Sequence, residues 1–229
     1  MSQAIGGFQL PPLSRFTRNL LIGMFVVYAV ELFLRNGGLV DVDLLMWRGF
    51  GQGFQPWQPA TRFLIQGNGV FGVVISGVVV YLIMPTLERW FTMRQLGQAV
   101  GIAAVGGTLF ALALNATGAV GGAAMGVSPL ITVLFVLFGL YRPEAIIRLF
   151  FVLPVPAKIV AWGTGALTFL LMLASFDLGA TVAFGTWLAT IGWWFWLGPG
   201  GKRRRLTKSA RNIERSLRVL PGGRDDIYH

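Results

Sequence analysis

Six mainly apolar runs, each near the length that crosses a bilayer, dominate this sequence: Asn19 to Leu34, Val70 to Leu87, Leu96 to Leu114, Pro129 to Leu140, Val155 to Ala174 and Leu178 to Leu197. A span takes about 20 such residues. Backbone in lipid must satisfy its own N–H and C=O groups, so runs of this kind become helices. The expected fold class is an all-α membrane protein with six transmembrane helices. The fourth run is short, so it draws on the Gly/Ala-rich residues before it or abuts irregular chain shielded by protein.

Composition excludes most alternatives. Of 229 residues, 55% are apolar and 12% charged, against about 25% charged in a soluble domain. Cysteine is absent and the one histidine is His229. Disulfides, zinc or haem ligation and Cys/His nucleophile pairs therefore lack their ligands or bases. No cofactor and no metal is expected. Lys and Arg outnumber Asp and Glu by 19 to 9, yet nine of those cations fall in the last 28 residues. Such local charge does not point to nucleic acid.

Charge placement gives an orientation. Arg15 and Arg18 precede the first run, which lacks a small-residue cleavage site and reads as a retained signal anchor. Arg89 and Arg94 join runs two and three, Arg142, Arg148 and Lys158 join four and five, and Lys202 to Arg205 follow the sixth. With six spans all of these fall on one side, the cytoplasmic one, together with both termini. This implies a multi-pass cell (inner) membrane protein. Residues 1–18 form a cytoplasmic segment, 19–197 the membrane domain and 198–229 a basic cytoplasmic tail. On the outer face Arg35, Arg48 and Arg62 are balanced by Asp41, Asp43 and Asp177.

The outer connection, residues 35–69, is apolar and aromatic (Leu44, Leu45, Met46, Trp47, Phe50, Phe54, Trp57), while its Gly and Pro residues deny it a long helix. It is expected to fold in the interface with Trp47 and Trp57 at headgroup level. Trp47, Arg48 and Trp57 are candidates for contact with partners. Trp193, Trp194 and Trp196 read as an aromatic belt at the other face. Glu31 is costly in lipid, and Arg35 one turn later is its expected partner. Gly97 with Gly101, and Gly118 with Gly122 and Gly126, suggest small-residue faces for intramolecular packing.

After Pro199 the tail turns basic. Leu206, Ala210, Ile213, Leu217 and Leu220 line one face of a helix over about 205–220. Lys202, Arg203, Arg204, Arg205, Arg211, Arg215 and Arg218 are further partner-binding candidates. Basic residues of this kind lie against anionic lipid at about 1 kcal/mol each.

The order of motifs resembles the rhomboid superfamily of intramembrane serine proteases and their inactive relatives, including derlins: Trp47-Arg48, then WQPATRFLIQGN, LERWFTMRQL, AMGVSP and RLFFVLPVPAKIVAW. The resemblance spans roughly residues 17–197 and implies a six-helix rhomboid-like bundle. In rhomboid proteases a Ser opening the fourth span acts with a His on the sixth, aided by a His and an Asn one turn apart on the second. The position similar to the nucleophile is Ser128. Counting on from FLIQGN, the second-span positions hold Phe71 and Ile75. In Ala183-Phe184-Gly185-Thr186-Trp187, Phe184 stands where the base belongs and Trp187 where a close-packing Gly belongs. A Ser hydroxyl without a base is a poor nucleophile, since general-base assistance is typically worth 10²–10⁴-fold.

Ser128 followed by Pro129 also reads as a helix opening, with Ser as N-cap and Pro at the first helical position. Three functions compete: an inactive rhomboid-like scaffold or adaptor that binds transmembrane clients, with Phe71, Ile75 and Phe184 filling its centre; a hydrolase using Ser128 with an unorthodox base such as Asp177 or Glu31; and a fixed subunit of a larger membrane complex.

Overall fold

The computed structural model describes residues 13–37, 44–50, 53–66, 69–149 and 153–201. The tail candidates Lys202, Arg203, Arg204, Arg205, Arg211, Arg215 and Arg218, the tail helix and His229 lie outside them. So do Asp41 and Asp43. The chain divides into two compact units, one ending at Ile191 and one beginning at Gly192.

The elements run α1 (Arg15–Gly37), β1 (Trp47–Arg48), α2 (Gln58–Thr61), a 3-10 turn (Arg62–Leu64), α3 (Gly69–Glu88), α4 (Met93–Ala116), β2 (Ala123–Ala124), α5 (Ser128–Tyr141), β3 (Ile146–Leu149), β4 (Leu153–Pro156), α6 (Ala157–Ser175) and α7 (Leu178–Trp196). Each expected run is a helix. Among the described residues, α1, α3, α4 and α6 are long and apolar enough to cross a membrane. The chain is thus a mostly helical, multi-pass membrane protein. Helix α5 has 14 residues, about 21 Å at 1.5 Å per residue. The Gly/Ala-rich run before it does not extend it, because Gly118, Gly122 and Gly126 have φ of 74°, 82° and 90°, a region that side chains with a Cβ avoid.

Helix α4 opens on a capping box in which Thr92 and Gln95 bond each other's backbone N–H at 3.3 and 3.1 Å. Helices α6 and α7 are joined by two residues. Phe176 takes a left-handed conformation (φ 48°), and the Asp177 carboxylate accepts the N–H of Ala180 at 3.1 Å.

Helix packing uses glycines, though not those with the four-residue spacing noted above. Gly139 of α5 meets Ala157 and Ala161 of α6; Gly107 of α4 meets Val182 and Thr186 of α7; Gly165 of α6 meets the Trp187 ring. In each case a Cβ would collide, so these backbones approach as only small residues allow. Gly97 and Gly101 instead face open space, and the buried stripe of α4 is Ala99, Ala103, Gly107, Ala111 and Asn115. Gly118, Gly122 and Gly126 lie in loop rather than on a helical face. Gly122 and Gly126 do approach their neighbours closely, Asp177 and the Gln66 carbonyl, but from loop; for Gly97 and Gly101 the spacing carries no information on which side of a helix is covered.

Helices α1 and α3 are fastened in three places. Thr17 donates to Glu88 at 2.7 Å, Gly77 packs against Leu21 and Phe25, and Glu31 at the far end of α1 accepts the N–H of Gln66 at 2.7 Å, just before α3 begins. The expected Glu31–Arg35 pair is present at 3.2 Å.

The connection between α5 and α6, expected as a charged loop, is an antiparallel hairpin. Ile146 pairs with Pro156 and Ile147 with Val155. The bond from the N–H of Ala157 to the carbonyl of Ala145 (2.7 Å) extends the ladder. In the second unit the N–H groups of Leu197 and Gly198 both bond the Trp193 carbonyl, and Gly198 and Gly200 lie against Trp194. Trp193 and Trp194 are buried and Trp196 is 82% exposed. Of the expected aromatic belt, Trp196 is the exposed member.

Candidate functional site

The first connection is a folded plate. Its centre is Gln58, whose buried side-chain oxygen accepts the N–H groups of Arg48 (3.2 Å) and Gln55 (3.3 Å) while its amide donates to the Leu44 carbonyl (3.4 Å). Thr61 donates to the Leu45 carbonyl at 2.9 Å. One buried amide thus closes a turn that a Gly/Pro-rich sequence cannot close with helix bonds.

This plate is tied to the loop before α5. Trp47 pairs with Ala124 and Arg48 with Ala123. Asn115, buried at the end of α4, bonds both sides: its Oδ1 accepts the N–H of Phe50 at 2.7 Å, and its Nδ2 donates to the Val120 carbonyl at 2.5 Å. The N–H of Gly126 bonds the carbonyl of Arg62 at 3.1 Å. The start of α5, and Ser128 with it, is therefore positioned by residues 44–66.

Trp47 does not reach a headgroup layer. It is fully buried in a cluster with Ala111, Val120, Ala124, Leu178 and Val182, so its role is in the core and not in partner contact. A strand-paired residue at the seam of two loops points inward. Trp57, ten residues on, is 52% exposed.

Arg62 also departs from expectation. Read as an outer-face cation, it is 2% exposed. Its Nε donates to the Pro59 carbonyl (3.2 Å) and one terminal nitrogen to Thr108 Oγ1 (2.8 Å), while its Cζ lies 5.1 Å from the Trp47 ring and 4.6 Å from that of Phe63. Burial pushes its pKa down to about 10, so it stays a cation at neutral pH. No motif distinguishes Arg62 from Arg48 or Arg35. The only hint is its place inside an otherwise apolar turn.

Ser128 is exposed, and its hydroxyl makes no hydrogen bond with the described residues. It is the first residue of α5 rather than its cap: Val127 holds the cap position without a side-chain bond, and Pro129 is second. The two carboxylates that stood as substitute bases are engaged elsewhere, Asp177 at the start of α7 and Glu31 with Gln66 and Arg35.

Phe184 sits among rings, 6.0 Å from Phe110, 5.1 Å from Phe169 and 5.9 Å from Trp187 in a stacked pair. Phe71 does not join it. At 77% exposure it lies on the outer side of α3, since the buried stripe runs through Val73, Gly77, Val80, Met84 and Leu87 and a residue two places from Val73 is about 200° round the helix. Ile75 is half-buried. A centre filled jointly by Phe71, Ile75 and Phe184 is therefore not formed. Along α1, the residues Val26, Val27, Val30, Leu34, Leu45 and Ile65 line an apolar crevice of about 200 Å³ with Glu31 in its wall. Among the described residues no group of three His, Cys, Asp or Glu side chains is arranged to hold a metal.

Compared with protein-family models, curated proteins and solved structures, the chain matches none.

Proposed function

We propose that this chain is a six-span, rhomboid-like membrane protein without protease activity that binds transmembrane clients or partner subunits as a scaffold or adaptor. The observation that carries the reading is the environment of the two positions a dyad would occupy. Ser128 has a free hydroxyl with no base bonded to it, and the Phe184 side chain is surrounded by Phe110, Phe169 and Trp187. A hydroxyl without a proton acceptor is not activated for attack.

The apolar crevice along α1 and the half-exposed Trp57 give the client surface. Exposed Arg15, Arg18, Arg89, Arg94, Arg142 and Lys158 support cytoplasmic termini in a cell (inner) membrane and contact with anionic lipid. In the described residues the cation of this set with a carboxylate partner is Lys158, bonded to Glu144 at 3.0 Å.

The test is gentle extraction of the whole protein, identification of what stays attached, and labelling with a fluorophosphonate probe. A scaffold retains single-span proteins, releases them on Trp57→Ala, and leaves Ser128 unlabelled. Labelling of Ser128 that is lost in Ser128→Ala makes it a hydrolase and ends the reading. A partner held at fixed stoichiometry regardless of Trp57 makes it a structural subunit.

A further inference from the structure

Among the described residues, α1 is the least covered of the helices long and apolar enough to cross a membrane. Its buried residues are Thr17, Met24 and Glu31. Two rows of side chains at four-residue spacing run along it, Arg18, Ile22 and Val26 beside Leu21, Phe25 and Ala29, and a groove of about 420 Å³ lies between them. The second row is anchored, because Leu21 and Phe25 pack on Gly77 of α3. In the first row Ile22 and Val26 are half-exposed.

The two ends of this groove differ. At one stands the Arg18 guanidinium, exposed and without an ion pair or hydrogen bond to the described residues. The pairs found there are Glu31 with Arg35 and Glu144 with Lys158. The carboxylate that reaches this end of α1, Glu88, accepts the Thr17 hydroxyl at 2.7 Å instead. From Arg18 onward every lining side chain is a hydrocarbon. The rise from Arg18 to Ala29 is about 16 Å at 1.5 Å per residue, close to one leaflet of a hydrocarbon core about 30 Å thick. A cation at the mouth and one leaflet's depth of hydrocarbon beyond it complement the two parts of a phospholipid.

A second protein helix fits this surface less well. In lipid, helices associate through close backbone approach rather than hydrophobic burial, and contacts within this protein use Gly107, Gly139 and Gly165 for it. The groove presents Leu, Ile, Phe and Val, with Ala29 as its one small residue.

We propose that the groove holds one phospholipid of net negative headgroup, its phosphate on the Arg18 guanidinium and one acyl chain laid between the two rows as far as Ala29. Arginine meets a phosphate through paired N–H bonds, and the donors of Arg18 are not engaged by the described residues. The site rests on the contact with anionic lipid proposed above and gives that contact a place. It does not depend on client binding.

The experiment is native mass spectrometry of the full chain released from detergent, titrated with dioleoyl phosphatidylglycerol or dioleoyl phosphatidylcholine. Arg18→Gln is compared with Arg94→Gln, a second exposed cation that does not line the groove; surface changes of this kind leave the fold intact. One phosphatidylglycerol is expected to bind in preference to phosphatidylcholine. Arg18→Gln should weaken it about five-fold, the worth of one basic residue near anionic lipid, and Arg94→Gln should leave it unchanged. A phosphatidylglycerol with a diazirine near its chain terminus should cross-link to Val26 or Ala29, as located by peptide mapping. Equal weakening by the two substitutions, or cross-links away from α1, overturns the site and leaves the general contact with anionic lipid standing. Equal binding of the two lipids by the unaltered chain overturns both.

Discussion

The carboxylate of Glu31, at the far end of the first helix, accepts the backbone N–H of Gln66 at 2.7 Å across 35 residues of chain. Its other oxygen takes the Arg35 guanidinium at 3.2 Å. The two bonds differ in worth. The Gln66 bond is buried, and losing a buried partner costs about 1–3 kcal/mol. Arg35 is half-exposed, and exposed pairs are worth about 0–1 kcal/mol. Glu31→Ala should therefore lower stability by roughly 2 kcal/mol and Arg35→Ala by less than about 1 kcal/mol, as read by denaturant unfolding in mixed micelles. Equal effects would mean that the ion pair, and not the backbone bond, holds α1.

The glycines separate into two sets whose substitutions have opposite signs. Gly107, Gly139 and Gly165 are in backbone or ring contact with a neighbouring helix, so alanine at any of them forces helices apart, at about 1–3 kcal/mol. Gly97 and Gly101 have nothing near them, so alanine there adds helix propensity worth about 0.5–1 kcal/mol. Thermal midpoints of the five single variants would rank them, and loss of stability in Gly97→Ala or Gly101→Ala would count against this assignment of faces.

These two cases mark how far the sequence was legible. Hydrophobic runs located all six helices, because each must be apolar along its whole length whatever it packs on. The Glu31–Arg35 pair was legible because four residues make one turn. Which face of α4 is covered was not, since Gly97 and Gly107 have the same side chain and differ only in what α7 presents to them. Trp47 and Arg62 were misplaced for a related reason. Both lie in the connection of residues 35–69, and their burial depends on Ala124 and Thr108, which stand far along the chain. Counting from a motif puts Phe71 at the centre, while helical phase about Val73 turns it outward.

Asn115 is the junction of the two outer loops, bonding the N–H of Phe50 and the carbonyl of Val120. Asn115→Asp keeps the acceptor but sets a carboxylate oxygen against the Val120 carbonyl; Asn115→Leu loses both bonds and leaves the part-buried Phe50 N–H and the buried Val120 carbonyl without partners. Losing a buried partner costs about 1–3 kcal/mol, so both variants should be less stable than the unaltered chain. Hydrogen exchange at Phe50 should accelerate in the leucine variant and stay slow in the aspartate one. Similar exchange in both would place the hold on Phe50 elsewhere.

Two tryptophans ten residues apart should respond differently to truncation. Trp47 is wholly buried against Ala124, Leu178 and Val182, and removing such a ring leaves a cavity costing about 3–5 kcal/mol. Trp57 is half-exposed, so Trp57→Ala should cost under about 1 kcal/mol in detergent, in line with other surface changes. The emission of Trp57 should also shift on transfer from detergent to vesicles, while that of Trp47 stays blue and insensitive to aqueous quencher. A Trp57→Phe variant isolates the second contribution by difference. If it is the Trp57→Ala protein that unfolds and the Trp47→Ala protein that survives, the buried plate described for residues 44–66 does not exist in the membrane.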